Sequence, residues 1–187
     1  MGADRVKTFD TISLVVVAFL AVFWEAAFDG VRRLAGVQPD FLPALMVYAA
    51  LRGGLWQVCL LAFCGGLFFD SLSSNPLGIT VLPLLAIGVA LNARSALILQ
   101  NQVFAQTVLG ATASLAAPGL TLILLLTLGA QPLIGWGTLW QLAMMTAVGA
   151  TAAPCFFLLF DWLRQTFSYA ETQQPSFRPD REILRGR

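Results

Sequence analysis

The chain has 187 residues, 58% of them hydrophobic and 11% charged, with net charge +1 and mean hydropathy +0.77. A soluble domain carries about 25% charged residues, so composition puts the chain in the integral-membrane class and excludes a nucleic-acid-binding surface. The apolar runs are too long and continuous for the alternating strands of a membrane β-barrel. Helices are the remaining way to satisfy the backbone in lipid. There is no histidine, which removes His metal ligands and His general bases. Cys59, Cys64 and Cys155 all lie inside apolar runs. Cys59 and Cys64 lack a zinc-type spacing, and the three read as small buried hydrophobes. The first apolar run is long enough to span, and no small-residue cleavage site follows a short core, so it reads as a span and not a cleavable signal peptide.

Taken in order, Met1 to Asp10 is a short polar head with Arg5 and Lys7. Thr11 to Phe28 is the first span, with Glu25 and Asp29 near its far end and Arg32 and Arg33 following to neutralise them. Asp40 reads as the N-cap of a second segment, Phe41 to Leu51, with Pro43 tolerable in its first turn. Arg52-Gly53-Gly54 reads as a tight turn, and Leu55 to Phe69 as a third, short span. The rival is one long span with Arg52 inside it. An arginine near mid-membrane costs at least ~2.5 kcal/mol, and each glycine weakens a helix by about 1 kcal/mol, so the turn is preferred. Asp70 to Pro76 is a polar knot. Gly78 to Leu99 is the fourth span, Val103 to Leu128 the fifth with a kink expected at Pro118, and Leu133 to Trp162 the core of the sixth. Trp136, Trp140 and Trp162 suit an aromatic belt. The expected organisation is a six-helix transmembrane domain over 1–163 and a polar, flexible cytoplasmic tail over 164–187.

Positive charges set the expected orientation. With the N-terminus in the cytoplasm and six spans, nine Lys or Arg fall inside and two, Arg32 and Arg33, outside. A five-span alternative gives eight against two but strands Arg52 in lipid. The six-span reading is preferred, with both termini cytoplasmic and the knot outside.

Asp70 is the sharpest residue. It follows Leu67-Phe68-Phe69 directly, at the edge of an apolar run. One reading has it binding an ion, a proton or a partner's cation. The other, preferred, is local: with Ser71, Ser73 or Asn75 its carboxylate accepts backbone N–H groups and shapes the turn. Pro76, Leu77 and Gly78 restart the chain, Pro76 by fixing φ and Gly78 by allowing an unusual dihedral. Arg52 and Arg94 read as cytoplasmic anchors that snorkel to phosphate. Gly110, Ser114 and Pro118, with Ala143, Ala147 and Thr151, form small-residue stripes for close helix approach. Packing within the chain is their default reading, a partner's helix the alternative. Catalysis has little support: there is no Ser-x-x-Lys pair, no Walker loop, and Lys7 is the only lysine.

Pro39-Asp40-Phe41-Leu42, Val47-Tyr48-Ala49-Ala50-Leu51-Arg52-Gly53-Gly54 and Gly65-Gly66-Leu67-Phe68-Phe69-Asp70-Ser71-Leu72-Ser73-Ser74-Asn75-Pro76-Leu77-Gly78 together resemble the rod shape-determining protein family MreD. The patterned part covers roughly residues 39 to 95; each short pattern alone is unspecific, and the combination is more specific. The tail is longer and richer in arginine than the family pattern. The resemblance implies a non-catalytic component of the cell-elongation machinery in the bacterial inner membrane, with no cofactor or metal. It implies binding to MreC, a single-span periplasmic protein. Association with RodA, its penicillin-binding transpeptidase and MreB filaments is implied too, beside contact with membrane lipids. It also implies a fold similar to the S-components of energy-coupling-factor vitamin transporters, which makes a substrate-binding subunit the rival function. A lipid-precursor flippase is weaker still, because Glu25, Asp70 and Asp161 are its only near-membrane acids and all sit near span ends.

Overall fold

The computed structural model describes residues 2–27, 36–73, 76–95, 102–129 and 135–168. The described residues form six helices and no strand: α1 Gly2–Ala27, α2 Leu42–Arg52, α3 Leu55–Leu72, α4 Val81–Ala93, α5 Val103–Thr127 and α6 Trp136–Ser168. Four contain stretches long and apolar enough to cross a membrane: Asp10–Ala27, Leu55–Leu72, Val103–Thr127 and Trp136–Thr166. The chain divides into two compact units, Met1–Phe157 and Leu158–Arg187. Within the second, the described part is the end of α6.

Several expected boundaries move. The polar head is helical and continuous with the first span, because α1 begins at Gly2. The third helix is not short. It has 18 residues and runs through Asp70 to Leu72. The second short helix is instead α4, with 13 residues: Leu77 to Thr80 form a turn ahead of it and it closes at Ala93, while 96–99 of the expected span lie outside the described residues. The turn at Arg52-Gly53-Gly54 is present, with both glycines extended and the Gly53 N–H donating to the Ala49 carbonyl at 3.0 Å. Cys59 and Cys64 are half-buried and Cys155 is exposed, so none joins the buried core.

The core of the first unit is built around α2. Every residue from Leu42 to Leu51 is buried. The helix packs against α1, α3, α4 and α5. Eleven residues rise only about 16 Å, roughly half the hydrocarbon thickness. Like any helix it leaves its first N–H groups without intrahelical partners. That is tolerated where the ends are enclosed in protein and other groups accept those bonds. The long helices bury one stripe each: Leu14, Ala18, Val22 and Glu25 on α1, and Val58, Leu61, Ala62, Gly65 and Gly66 on α3. Their other faces expose Phe19, Phe23, Trp24, Phe63 and Leu67, an apolar exterior suited to lipid.

The hairpin α2–α3 runs away from and back toward one end of the unit. One end holds Arg52, Gln57 and Thr11, where the Gln57 side-chain N–H₂ donates to Thr11 Oγ1 at 3.0 Å. Asn92, at the close of α4, donates to the Ala50 carbonyl at the same end, at 3.0 Å. The opposite end gathers Glu25, Asp40, Asp70 and Thr80.

Candidate functional site

Asp70 lies in the last turn of α3 and is 1% exposed. A buried carboxylate persists only if its oxygens are taken up by donors. Here three donors from one short stretch do this. Oδ2 accepts the Gly78 N–H at 2.8 Å and the Thr80 N–H at 3.2 Å. Oδ1 accepts the Thr80 hydroxyl. The C-terminal end of α3 is thereby fastened to the residues that open α4. Gly78 adopts φ 91°, a left-handed conformation that turns its N–H toward Asp70 and that other residues resist. The Pro76 carbonyl accepts the Ile79 N–H at 3.3 Å, closing the turn.

The remaining residues expected at the knot do different things. Ser71 is exposed and donates to the Phe68 carbonyl at 2.8 Å, outside the Asp70 network. The Ser73 N–H donates to the Phe69 carbonyl at 2.9 Å and ends α3. Leu77 is 72% exposed at the tip of the turn. Asn75 lies outside the described residues. Arg52 and Gly53 are not part of this site, because the antiparallel hairpin carries them to the other end. There the Arg52 guanidinium stands 6.0 Å from the Phe157 ring centroid. Thr80 was not anticipated. It falls in what reads as the interior of an apolar span, and the one hint is a hydroxyl two residues beyond a turn glycine.

A pair of acids works beside Asp70. Asp40 sits in the connection before α2, where its Oδ1 accepts the Leu42 N–H at 2.9 Å. It performs the expected capping function one residue early, since Phe41 is the formal cap. Glu25, near the end of α1, reaches the same helix start and accepts the Phe41 N–H at 2.6 Å. The expected partners of Glu25, Arg32 and Arg33, lie outside the described residues. Burial pushes the Asp40 carboxyl up to about 6, and the Leu42 N–H opposes the shift. Asp40 and Glu25 thus receive N–H groups at the start of α2, and Asp70 those of the turn that leads into α4.

Beside the Asp70 network is a cavity of about 330 Å³. Gln38, Asp40, Ser73 and Thr80 line it from the connections, and Thr121, Thr138 and Gln141 from α5 and α6. Ala117, Pro118, Leu122, Leu125, Leu142, Met145 and Phe69 supply the apolar wall.

The small residues of α5 meet α6 in a register other than the expected one. A Cβ placed on Gly110 would run into the Gly149 carbonyl oxygen and the Ala153 methyl, and one on Gly149 would run into Ser114. Gly110 and Ser114 are buried, whereas Ala143 and Ala147 are exposed. The facing stripe on α6 is therefore Met145, Gly149, Ala153 and Phe157, all buried.

These features lie within a stretch that the family model of the rod shape-determining protein MreD matches, residues 6–163. The chain belongs to the MreD family. No curated protein and no solved structure matches it. MreD membership carries a role in determining rod shape, and the family is one of shape-determining membrane proteins not known as enzymes. The Asp70–Gly78–Thr80 network and the Arg52–Gly54 turn both fall inside the MreD match.

Proposed function

We propose that this MreD family member is a membrane scaffold of the bacterial cell-elongation machinery that binds MreC and, through it, supports control of peptidoglycan synthesis. The observation that carries the reading is the Asp70 network, which fastens α3 to the start of α4 inside the family-matched region. A scaffold must hold helix ends in a fixed relation while a partner binds, and a buried carboxylate with three donors is a rigid way to do it. RodA, its penicillin-binding transpeptidase and MreB belong to the same assembly. The protein sits in the inner membrane as a multi-pass chain with both termini cytoplasmic and the Asp70 end facing outward.

The test is co-purification of MreC with the wild type and with the double variant Asp70→Ala, Gly78→Leu. Loss of MreC from a variant that still elutes as a monodisperse species supports the reading. Undiminished binding by a folded double variant removes the network from the mechanism.

A second reading, a substrate-binding subunit resembling the vitamin-transporter S-components, draws support from the 330 Å³ cavity. Release of a vitamin or related metabolite from the purified protein, detected by mass spectrometry, would favour it over the scaffold.

A further inference from the structure

We propose that the cavity beside the Asp70 network binds an organic cation, an alkylammonium or guanidinium group whose charge is met by Asp40. The proposal goes beyond the scaffold reading, and only the arm of its test that uses MreC rests on it. Size comes first: about 330 Å³ lies within the range of small-ligand pockets. It is far larger than a bare metal ion needs, and among the described residues no group of three His, Cys, Asp or Glu stands together.

Charge selects the ligand. Among the described residues no lysine or arginine lines the cavity, and its one ionisable lining group is the Asp40 carboxyl. Asp40 lines it while buried, with Oδ1 engaged by the Leu42 N–H and its second oxygen left for an occupant. Glu25 meets the same helix start as Asp40 and is 6% exposed. One Glu25 oxygen accepts the Phe41 N–H, and the other, Oε2, is buried without a hydrogen-bond partner. A buried acid with unfilled acceptor capacity is costly. A cation seated against Asp40 offsets that cost. The remaining N–H groups of such a ligand find acceptors in the Thr121 hydroxyl and the Gln141 amide oxygen, and its alkyl stem packs on Leu122, Leu142 and Met145.

The experiment titrates the purified full chain in detergent with ethylammonium chloride and methylguanidinium chloride, at ionic strength held constant with sodium chloride. The unfolding midpoint and the heat of binding are read. At a hundredfold excess over Kd the midpoint rises by about 5 °C. Asp40→Asn keeps an acceptor for the Leu42 N–H but removes the charge, and it abolishes the rise; Glu25→Gln weakens it. Mass spectrometry of the denatured protein, and the same titration on the complex with MreC, separate two sources of the cation. An amine released from the protein alone identifies a free metabolite. A response lost only in the complex identifies a basic side chain of the partner. An equal rise in Asp40→Asn overturns the proposal. So does a wild type that neither responds nor releases an amine, an outcome that hands neutralisation of the acids to Arg32 and Arg33.

Discussion

At the residue scale, the chain uses buried acids as acceptors for donors at and just ahead of helix starts. Asp70 is the clearest case, because it serves three donors at once. Removing it strands all three, so Asp70→Ala should destabilise the protein by about 3 kcal/mol, while Thr80→Val, which deletes one bond, should cost about 1 kcal/mol. Denaturant titration in micelles, followed by tryptophan fluorescence, measures both. Asp40 makes a different prediction. Its carboxyl is pushed above its ordinary 3.8 to about 6 by burial, so folding favours the protonated form. That contribution is fully present below about pH 4 and is lost as pH rises through about 6. The difference in unfolding midpoint between wild type and Asp40→Asn, followed from pH 4 to 7, should therefore move against the wild type as pH rises. Asp70 and Gly78 were legible in the sequence because an acid and a glycine punctuating an apolar run signal a turn. Thr80 and the bond from Glu25 to Phe41 were not. The first is masked by the apolar residues around it, and the second joins residues 16 apart in the chain whose meeting depends on how α1 crosses α2.

Elements were easier to find than the faces they present. The Arg52–Gly54 break was readable, since a charge and two glycines cannot continue a buried helix at acceptable cost. The length of α4 was not, because nothing in Gly78–Thr80 is polar enough to mark them as outside it. The α5–α6 seam shows the same limit. α6 carries small residues at two spacings of four, Ala143–Ala147–Thr151 and Gly149–Ala153, and sequence alone does not rank them. Shifting the stripe by two residues rotates the face by about 200°. Gly149→Val should lower stability by about 3 kcal/mol, because its side chain must displace Ser114 and the Gly110 backbone. Ala143→Leu and Ala147→Leu should fall within about 0.5 kcal/mol of wild type. Thermal unfolding of the three variants in one detergent checks both statements. If either alanine variant loses the proposed partner MreC while the wild type holds it and stability is kept, that exposed face belongs to a partner's helix.

For the whole molecule, composition gave the class and charge gave an orientation to test. The prediction is concrete. On a background with the three native cysteines replaced by alanine, Ser73→Cys should react with a membrane-impermeant maleimide in intact spheroplasts. Arg94→Cys should react only after the membrane is opened. Equal labelling at both positions would contradict the arrangement of ends. The central position of α2 was not legible. Its 11 residues look like a weak span, and weakness of hydropathy does not distinguish a helix half in lipid from one wrapped by four neighbours.

That enclosure bears on how substitutions spread through the family. A lipid-facing helix tolerates change on one side, so its permitted residues drift with a period of three to four. From Leu42 to Leu51 there is no permissive side. Volume gained at any position must be surrendered by α1, α3, α4 or α5, so α2 can change only in company. Diversity should accumulate on the outer helices while the innermost segment moves through paired replacements, which makes α2 slower to evolve than the helices around it.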